Sequence, residues 1–155
     1  MLLQSMELEG LSGREAGRKL LSKMYRAFTG EEMPPIFVTD RGKPYFAGSA
    51  IHFSISHTKR RVFCVLSDRS VGIDAEEIDR AVNLSLAEKV LSPTEFSQFE
   101  RAEDKRLALL TFWVLKEASA KRTGQGVGFH PTDTAFSLAD PRVQILDNCL
   151  VAVVC

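Results

Sequence analysis

The chain has 155 residues, with 20 Lys and Arg balanced by 20 Asp and Glu, and 45% of its residues are hydrophobic. That length and apolar content fit one domain with a packed core and exclude a disordered chain. The zero net charge excludes a general polyanion binder, so no nucleic acid is expected as a partner, and no apolar run approaches the ~18 residues of a membrane span.

Ser12-Gly13-Arg14-Glu15 is a capping box that opens a helix, with Ala16, Leu20, Leu21, Met24 and Phe28 at helical spacing and Thr29-Gly30 as its stop. Pro34-Pro35 leads into a short strand, Ile36 to Thr39, and the run from Asp40 to Pro44 reads as a turn. Three strands are expected next. His52 to His57 alternates polar and apolar residues, Val62 to Leu66 is apolar like a strand buried on both faces, and Val71 to Glu76 alternates again. A basic turn, Thr58-Lys59-Arg60-Arg61, joins the first two.

Two more capping boxes follow, at Ser85-Leu86-Ala87-Glu88 and at Ser92-Pro93-Thr94-Glu95, the latter with Pro at the first helical position. A long helix is expected from Asp104 to Arg122, ending at Gly124, and closing strands at Thr134 to Leu138, Val143 to Leu146 and Leu150 to Val154. Phe53-Ser54-Ile55 is faintly echoed by Phe136-Ser137-Leu138, which points to two related halves. The mixed order of elements makes the fold class α+β.

The cysteines Cys64, Cys149 and Cys155 are odd in number, lack CxxC spacing and sit in apolar stretches. Reduced core thiols are therefore expected, with neither a disulfide framework nor a zinc site. The opening Met1 to Glu7 has no basic segment and no long apolar segment, so no signal peptide is expected and the localisation is read as cytoplasmic.

Three groups of residues can carry chemistry. In Gly72-Ile73-Asp74-Ala75-Glu76 the two acids lie two apart on a strand, so both carboxylates point the same way. Like charges placed together call for a cation, and Mg²⁺ suits carboxylate oxygens; the alternative is a solvated strand edge, since Glu77 and Asp79 continue the acidity. In the helix, Trp113, Glu117 and Lys121 share a face. A carboxylate in so apolar a helix needs a partner, and the metal would supply one, with Lys116 and Lys121 available to phosphate oxygens. The alternative is an exposed Glu–Lys pair worth roughly 0.3–0.5 kcal/mol. Last, Ser54-Ile55-Ser56-His57 and the basic turn suit a polyphosphate. Ser56 and His57 are neighbours on a strand and point to opposite faces, which disfavours a hydrolase pair.

In this order, Gly42-Lys43-Pro44, Ser54-Ile55-Ser56-His57, Gly72-Ile73-Asp74-Ala75-Glu76 and Trp113-Val114-Leu115-Lys116-Glu117-Ala118-Ser119-Ala120-Lys121 resemble the 4′-phosphopantetheinyl transferases, specifically the Sfp type. The likeness runs from about Ser12 to the C-terminus. It implies a single domain over residues 1–155 in two pseudo-repeated halves, 12–69 and 70–155, each a small antiparallel sheet packed on a helix. It implies Mg²⁺-dependent transfer of the 4′-phosphopantetheine arm of coenzyme A to a serine of an apo acyl or peptidyl carrier protein, releasing adenosine 3′,5′-bisphosphate. By resemblance, Asp74, Glu76 and Glu117 hold the metal and Glu117 is also the base for the carrier serine. Lys43, Ser56 and His57 contact coenzyme A phosphates, Lys116 and Lys121 contact the pyrophosphate, and Arg18 lies in a helix bordering the coenzyme A site.

The family has a longer, basic segment before its first helix, whereas Met1 to Leu11 contain no Lys or Arg. Either the 3′-phosphate is held differently or Arg14, Arg18 and Lys19 take over. The last expected strand runs almost to Cys155 without the family's common tail, so a compact member is expected, as a pseudo-dimeric monomer. Lys59-Arg60-Arg61 or the Arg101 to Arg106 segment could meet an acidic carrier, or be ordinary solvated charge. Two other functions compete: a non-catalytic carrier-protein or coenzyme A binder, and a Mg²⁺-dependent phosphodiester hydrolase.

Overall fold

A computed structural model of the chain describes residues 1–124 and 130–155. Its strands are β1 (Leu2–Glu7), β2 (Ile36–Val38), β3 (Pro44–Phe46), β4 (His52–His57), β5 (Arg61–Ser67), β6 (Gly72–Glu77), β7 (Val143–Leu146) and β8 (Cys149–Val154). Its helices are α1 (Gly13–Thr29), α2 (Ala87–Val90), α3 (Pro93–Arg101) and α4 (Lys105–Thr123). Two three-stranded antiparallel sheets form, in the orders β1-β5-β4 and β6-β8-β7, and β2 pairs with β3 in a separate hairpin.

The two larger sheets repeat one plan. A strand enters at an edge (β1 or β6), a helix follows (α1 or α4), and a hairpin returns with its second strand (β5 or β8) in the centre. Alternation along the central strands sorts the core into layers. Val62, Cys64 and Leu66 of β5 pack with Ala16, Leu20, Leu21 and Met24 of α1. Phe63 and Val65 face the other way, against Ile73, Ala75, Val151 and Val153 of the second sheet. Leu150, Ala152 and Val154 of β8 then pack with Leu110, Val114, Leu115 and Ala118 of α4. Helix, sheet, sheet and helix are thus stacked, and Val62 to Leu66 are buried on both faces, as their composition predicts.

The β4 edge of the first sheet meets the β6 edge of the second through side chains. The backbone N–H of Ile73 donates to Ser54 Oγ at 3.1 Å, and that of Ala75 to Ser56 Oγ at 3.2 Å. Serines at i and i+2 match the two-residue period of outward N–H groups on an edge strand, so hydroxyls satisfy donors that would otherwise be buried unpaired.

Both the Ser12 and the Ser92 capping boxes form. The one at Ser85 does not. Asn83 lies two residues ahead, its side chain accepts from the Ser85 N–H, and a 3₁₀ turn over Leu84–Leu86 precedes α2. Thr134 to Leu138 is not a strand. Its backbone groups are taken by side chains instead: Phe136 N–H donates to Glu95, Leu138 N–H to Gln98, and Thr134 O accepts from Lys116. The echo between Phe53–Ile55 and Phe136–Leu138 therefore has no structural counterpart; the repeat lies in the topology. Met1 to Leu11, read as a segment without an element, contains β1, which pairs along the whole of β5 from Leu2↔Leu66 to Glu7↔Arg61. Phe28 is exposed at the end of α1, and Cys155 is exposed while Cys64 and Cys149 are buried. Among the described residues, no helix is long and apolar enough to cross a membrane.

Candidate active site

The site sits where β6 passes between β4 and α4. Gly72 permits the approach: a Cβ built on it would lie 1.9 Å from Ala118 O and 2.4 Å from Arg122 N, both backbone atoms of α4. Asp74 follows on the same face of the strand, is buried, and accepts from Lys121 Nζ at 2.7 Å and from Ser56 Oγ at 2.9 Å, both on Oδ1. Lys121 also reaches Ser56 Oγ at 3.2 Å. The Ser56 hydroxyl is thereby saturated, donating to Asp74 and accepting from Ala75 N–H and Lys121.

Asp74 Oδ2 is buried with no hydrogen-bond partner among the described residues. Glu76 and Glu117 feel the same carboxylate. Burial raises the pKa of Glu117 and repulsion from Asp74 raises it further, against the pull of Lys121. Burial is also the main cause raising Glu76; Arg80 opposes it, Asp74 adds to it and Lys121 opposes it. Arg80, four residues on, pairs with Glu76. Among the described residues no three metal-ligating side chains stand close enough to make a ready cage, and cations of the chain lie on Asp74 and Glu76. The donors nonetheless suit a hard divalent cation. Two carboxylates whose proton affinity Asp74 raises, and a buried carboxylate oxygen of Asp74 with no hydrogen bond among the described residues, are the chemistry such an ion relieves.

A cleft of about 370 Å³ runs from this cluster toward the β2–β3 turn. Glu117, Ala120 and Lys121 form its α4 wall, Phe53, Ser54 and Ile55 its β4 wall, and Arg41, Gly42 and Lys43 its far end. Lys43 Nζ donates to Ser70 Oγ at 3.1 Å and to the Arg122 carbonyl. Burial, and then the neighbouring Arg122, lower its pKa.

The structure thus brings Lys43, Glu117 and Lys121 to the cleft, and Ser56, Asp74 and Glu76 to the polar cluster around Lys121 beside it. His57, Arg18 and Lys116 are not among the cleft-lining residues. His57 is exposed, and its ring covers Gly13 at the start of α1, where a Cβ would come within 2.5 Å of it. Arg18 is exposed farther along α1. Lys116 is buried on another side of α4 against Glu95. Of the basic turn, Arg60 pairs with Glu77 and Asp79, and Arg61 with Glu7 and Asp147, so much of its charge is neutralised within the chain. Arg80 and Glu95 were not singled out as site residues by the sequence, and Ser54 only as part of the Ser54-Ile55-Ser56-His57 run. The repeated serine in Ser54-Ile55-Ser56 was the available signal for Ser54.

Residues 70–150 match the family model described as the 4′-phosphopantetheinyl transferase superfamily. The chain is 30% identical over 161 aligned positions to the 4′-phosphopantetheinyl transferase HetI of Nostoc sp., covering 89% of this chain and 68% of HetI. It is 35% identical over 86 residues to the 4′-phosphopantetheinyl transferase Sfp of Bacillus subtilis, covering 54% of this chain and 37% of Sfp. The chain thus spans 37% to 68% of these relatives' own length. The crystal structure of Thermotoga maritima holo-[acyl-carrier-protein] synthase aligns with a TM-score of 0.46 and 26% identity, covering 54% of this chain and 60% of that one.

Proposed function

Because the chain belongs to the 4′-phosphopantetheinyl transferase superfamily, we propose that it moves the 4′-phosphopantetheine arm of coenzyme A onto a serine of an apo carrier protein. Adenosine 3′,5′-bisphosphate is the other product. The observation that carries this reading is a cleft lined by Lys43, Glu117 and Lys121, with Lys121 bonded to the buried Asp74 whose charge also acts on Glu76 and Glu117.

Transfer of this kind depends on positioning and on neutralising charge. Asp74, Glu76 and Glu117 would hold Mg²⁺, which when bound supplies positive charge against the pyrophosphate. Lys121 would donate to a phosphate oxygen, and Lys43 would contact a coenzyme A phosphate from the far end of the cleft. Ser56 acts through Asp74 and Lys121, whose polar atoms it holds. His57 contacts a coenzyme A phosphate beside the start of α1, and Arg18 borders the nucleotide end. A serine hydroxyl is a weak nucleophile at neutral pH, so Glu117 takes its proton as the bond to phosphorus forms. The nucleophile comes from the carrier, so this chain needs no activated serine of its own. We read the chain as cytoplasmic and as one domain whose site lies between its halves.

Intact mass spectrometry of an apo carrier protein incubated with this protein, coenzyme A and Mg²⁺ tests the proposal. The expected result is a gain of one phosphopantetheine arm that disappears when Mg²⁺ is chelated. A folded protein giving no gain on acyl or peptidyl carriers would overturn it and favour a non-catalytic binder. Free hydrolysed phosphate without carrier modification would favour a phosphodiester hydrolase.

The metal assignment has its own test. Asp74→Asn keeps the side chain's shape and removes its charge. Coenzyme A affinity in Mg²⁺, read by titration calorimetry, should fall at least about tenfold, equivalent to ~1.4 kcal/mol. Affinity equal to wild type would remove Asp74 from the metal site.

A further inference from the structure

Lys116 lies directly before Glu117, and successive residues on a helix point about 100° apart. Glu117 faces the cleft; Lys116 faces α3 and the segment after residue 130. Glu95 is 0% exposed and Lys116 2%. The ammonium is saturated: it bonds Glu95 Oε2 at 2.8 Å, Thr134 O at 2.8 Å, and Pro131 O. Both carboxylate oxygens are engaged as well, accepting from Ser92 N–H at 2.7 Å and Phe136 N–H at 2.9 Å besides Lys116. No ammonium proton is left for a phosphate oxygen.

We infer that Lys116 and Glu95 are positioning residues for the proposed transfer: their buried pair fixes the rotation of α4 that points Glu117 and Lys121 into the cleft. This rests on the function proposed above. The pair is the polar peg on a side of α4 that is otherwise apolar, since Ala108, Leu109 and Phe112 pack there against α2 and α3. Apolar packing tolerates small rotations, whereas a saturated ion pair in a buried site does so only by leaving charge unpaired. Glu95 thereby fastens three pieces of backbone together: the start of α3, α4, and the chain at 131–136. The resemblance to the family implies instead that Lys116 touches the pyrophosphate, and the two roles differ in what rescues them.

Lysine footprinting of the wild-type protein with a small amine-acylating reagent tests the burial directly. Lys116 should stay unmodified with and without coenzyme A, while exposed Lys59 is modified. Modification of Lys116 in the free folded protein, whether or not coenzyme A blocks it, would overturn the inference.

Kinetics test the positioning. Lys116→Met leaves a buried carboxylate without its partner, and a shift of about 1 Å at Glu117 is enough to lower kcat about 100-fold. The double variant Glu95→Gln/Lys116→Met leaves no charge at this buried position, and it should recover to within about tenfold of wild type, the non-additivity expected of residues acting as a pair. A double variant as poor as Lys116→Met would mean that Lys116 contacts substrate, and would overturn the inference. If the Met variants do not fold, Glu95→Gln alone decides. It cannot touch coenzyme A, yet kcat should fall with KM for coenzyme A little changed; wild-type kcat would overturn the inference. Absence of transfer by wild type would count against the proposed function alone, since the footprint needs no turnover.

Discussion

Glu117→Gln is expected to lower transfer to a carrier serine by about 10²- to 10⁴-fold, the range seen when a positioned general base is removed. The fold should survive. Burial and the nearby Asp74 carboxylate raise the Glu117 pKa, so ionised Glu117 works against the folded state. A carboxyl whose folded pKa lies above its unfolded value contributes stability at low pH and loses it as pH rises through the folded pKa. At neutral pH a neutral amide of the same shape removes that repulsion. The variant should therefore melt no lower than wild type. The Lys121 ammonium, one turn on, is bonded to Asp74 and Ser56, so no structural ion pair is sacrificed. A carboxylate held at a cost to stability, at the wall of a cleft, is the pattern of a group retained for chemistry. Transfer near the wild-type rate would remove Glu117 from both of its proposed roles.

Local signals read well where neighbours in sequence decide the outcome. Ser12 and Glu15, and Ser92 and Glu95, close their capping boxes within one turn of helix. Asp74 and Glu76 share a face because strand periodicity requires it, and Val62 to Leu66 are buried on both sides because nothing in them is polar. Legibility stops where distant residues intervene. The run Leu2 to Glu7 has no clean alternation and becomes a strand through pairing with β5, about sixty residues later in register. Thr134 to Leu138 reads as a strand by composition, but Glu95, Gln98 and Lys116 take its backbone groups and leave no partner strand a place.

The same limit applies within the site. The helix motif puts Lys116 and Lys121 five residues apart, which on a helix is about 140° of separation, so the two lysines face different surroundings. Periodicity excludes a shared face but does not say which lysine reaches the cleft. That is decided by Glu95, far off in sequence, which in its own helix reads as no more than a capping residue. Ser56 is a similar case. Beside His57 it reads as a ligand contact, yet the passing edge of β6 takes up its hydroxyl.

Gly72→Ala is expected to destabilise the protein by at least about 3 kcal/mol, the upper part of the range for forcing an extra carbon into a packed core. For a chain of this size that lowers the melting temperature by at least ~6 °C. The added Cβ would meet Ala118 O at 1.9 Å and Arg122 N at 2.4 Å, and both are helix backbone. Neither can swing aside, so β6 and α4 must separate. Gly13→Ala is the matched control. Its Cβ also has a close neighbour, at 2.5 Å, but that neighbour is the side-chain ring of exposed His57 and not helix backbone. The control should stay within about 1 kcal/mol of wild type, helped by the better helix propensity of alanine. A Gly72→Ala protein melting like wild type would show that β6 does not press on α4. The clash also bears on function. Lys121 meets Asp74 at 2.7 Å only because the strand two residues earlier carries no side chain against the helix. Gly72 is thus the residue that sets the separation between the strand carboxylates and the helix pair Glu117 and Lys121. Where Gly72→Ala still folds, its residual transfer should fall further than its melting temperature accounts for.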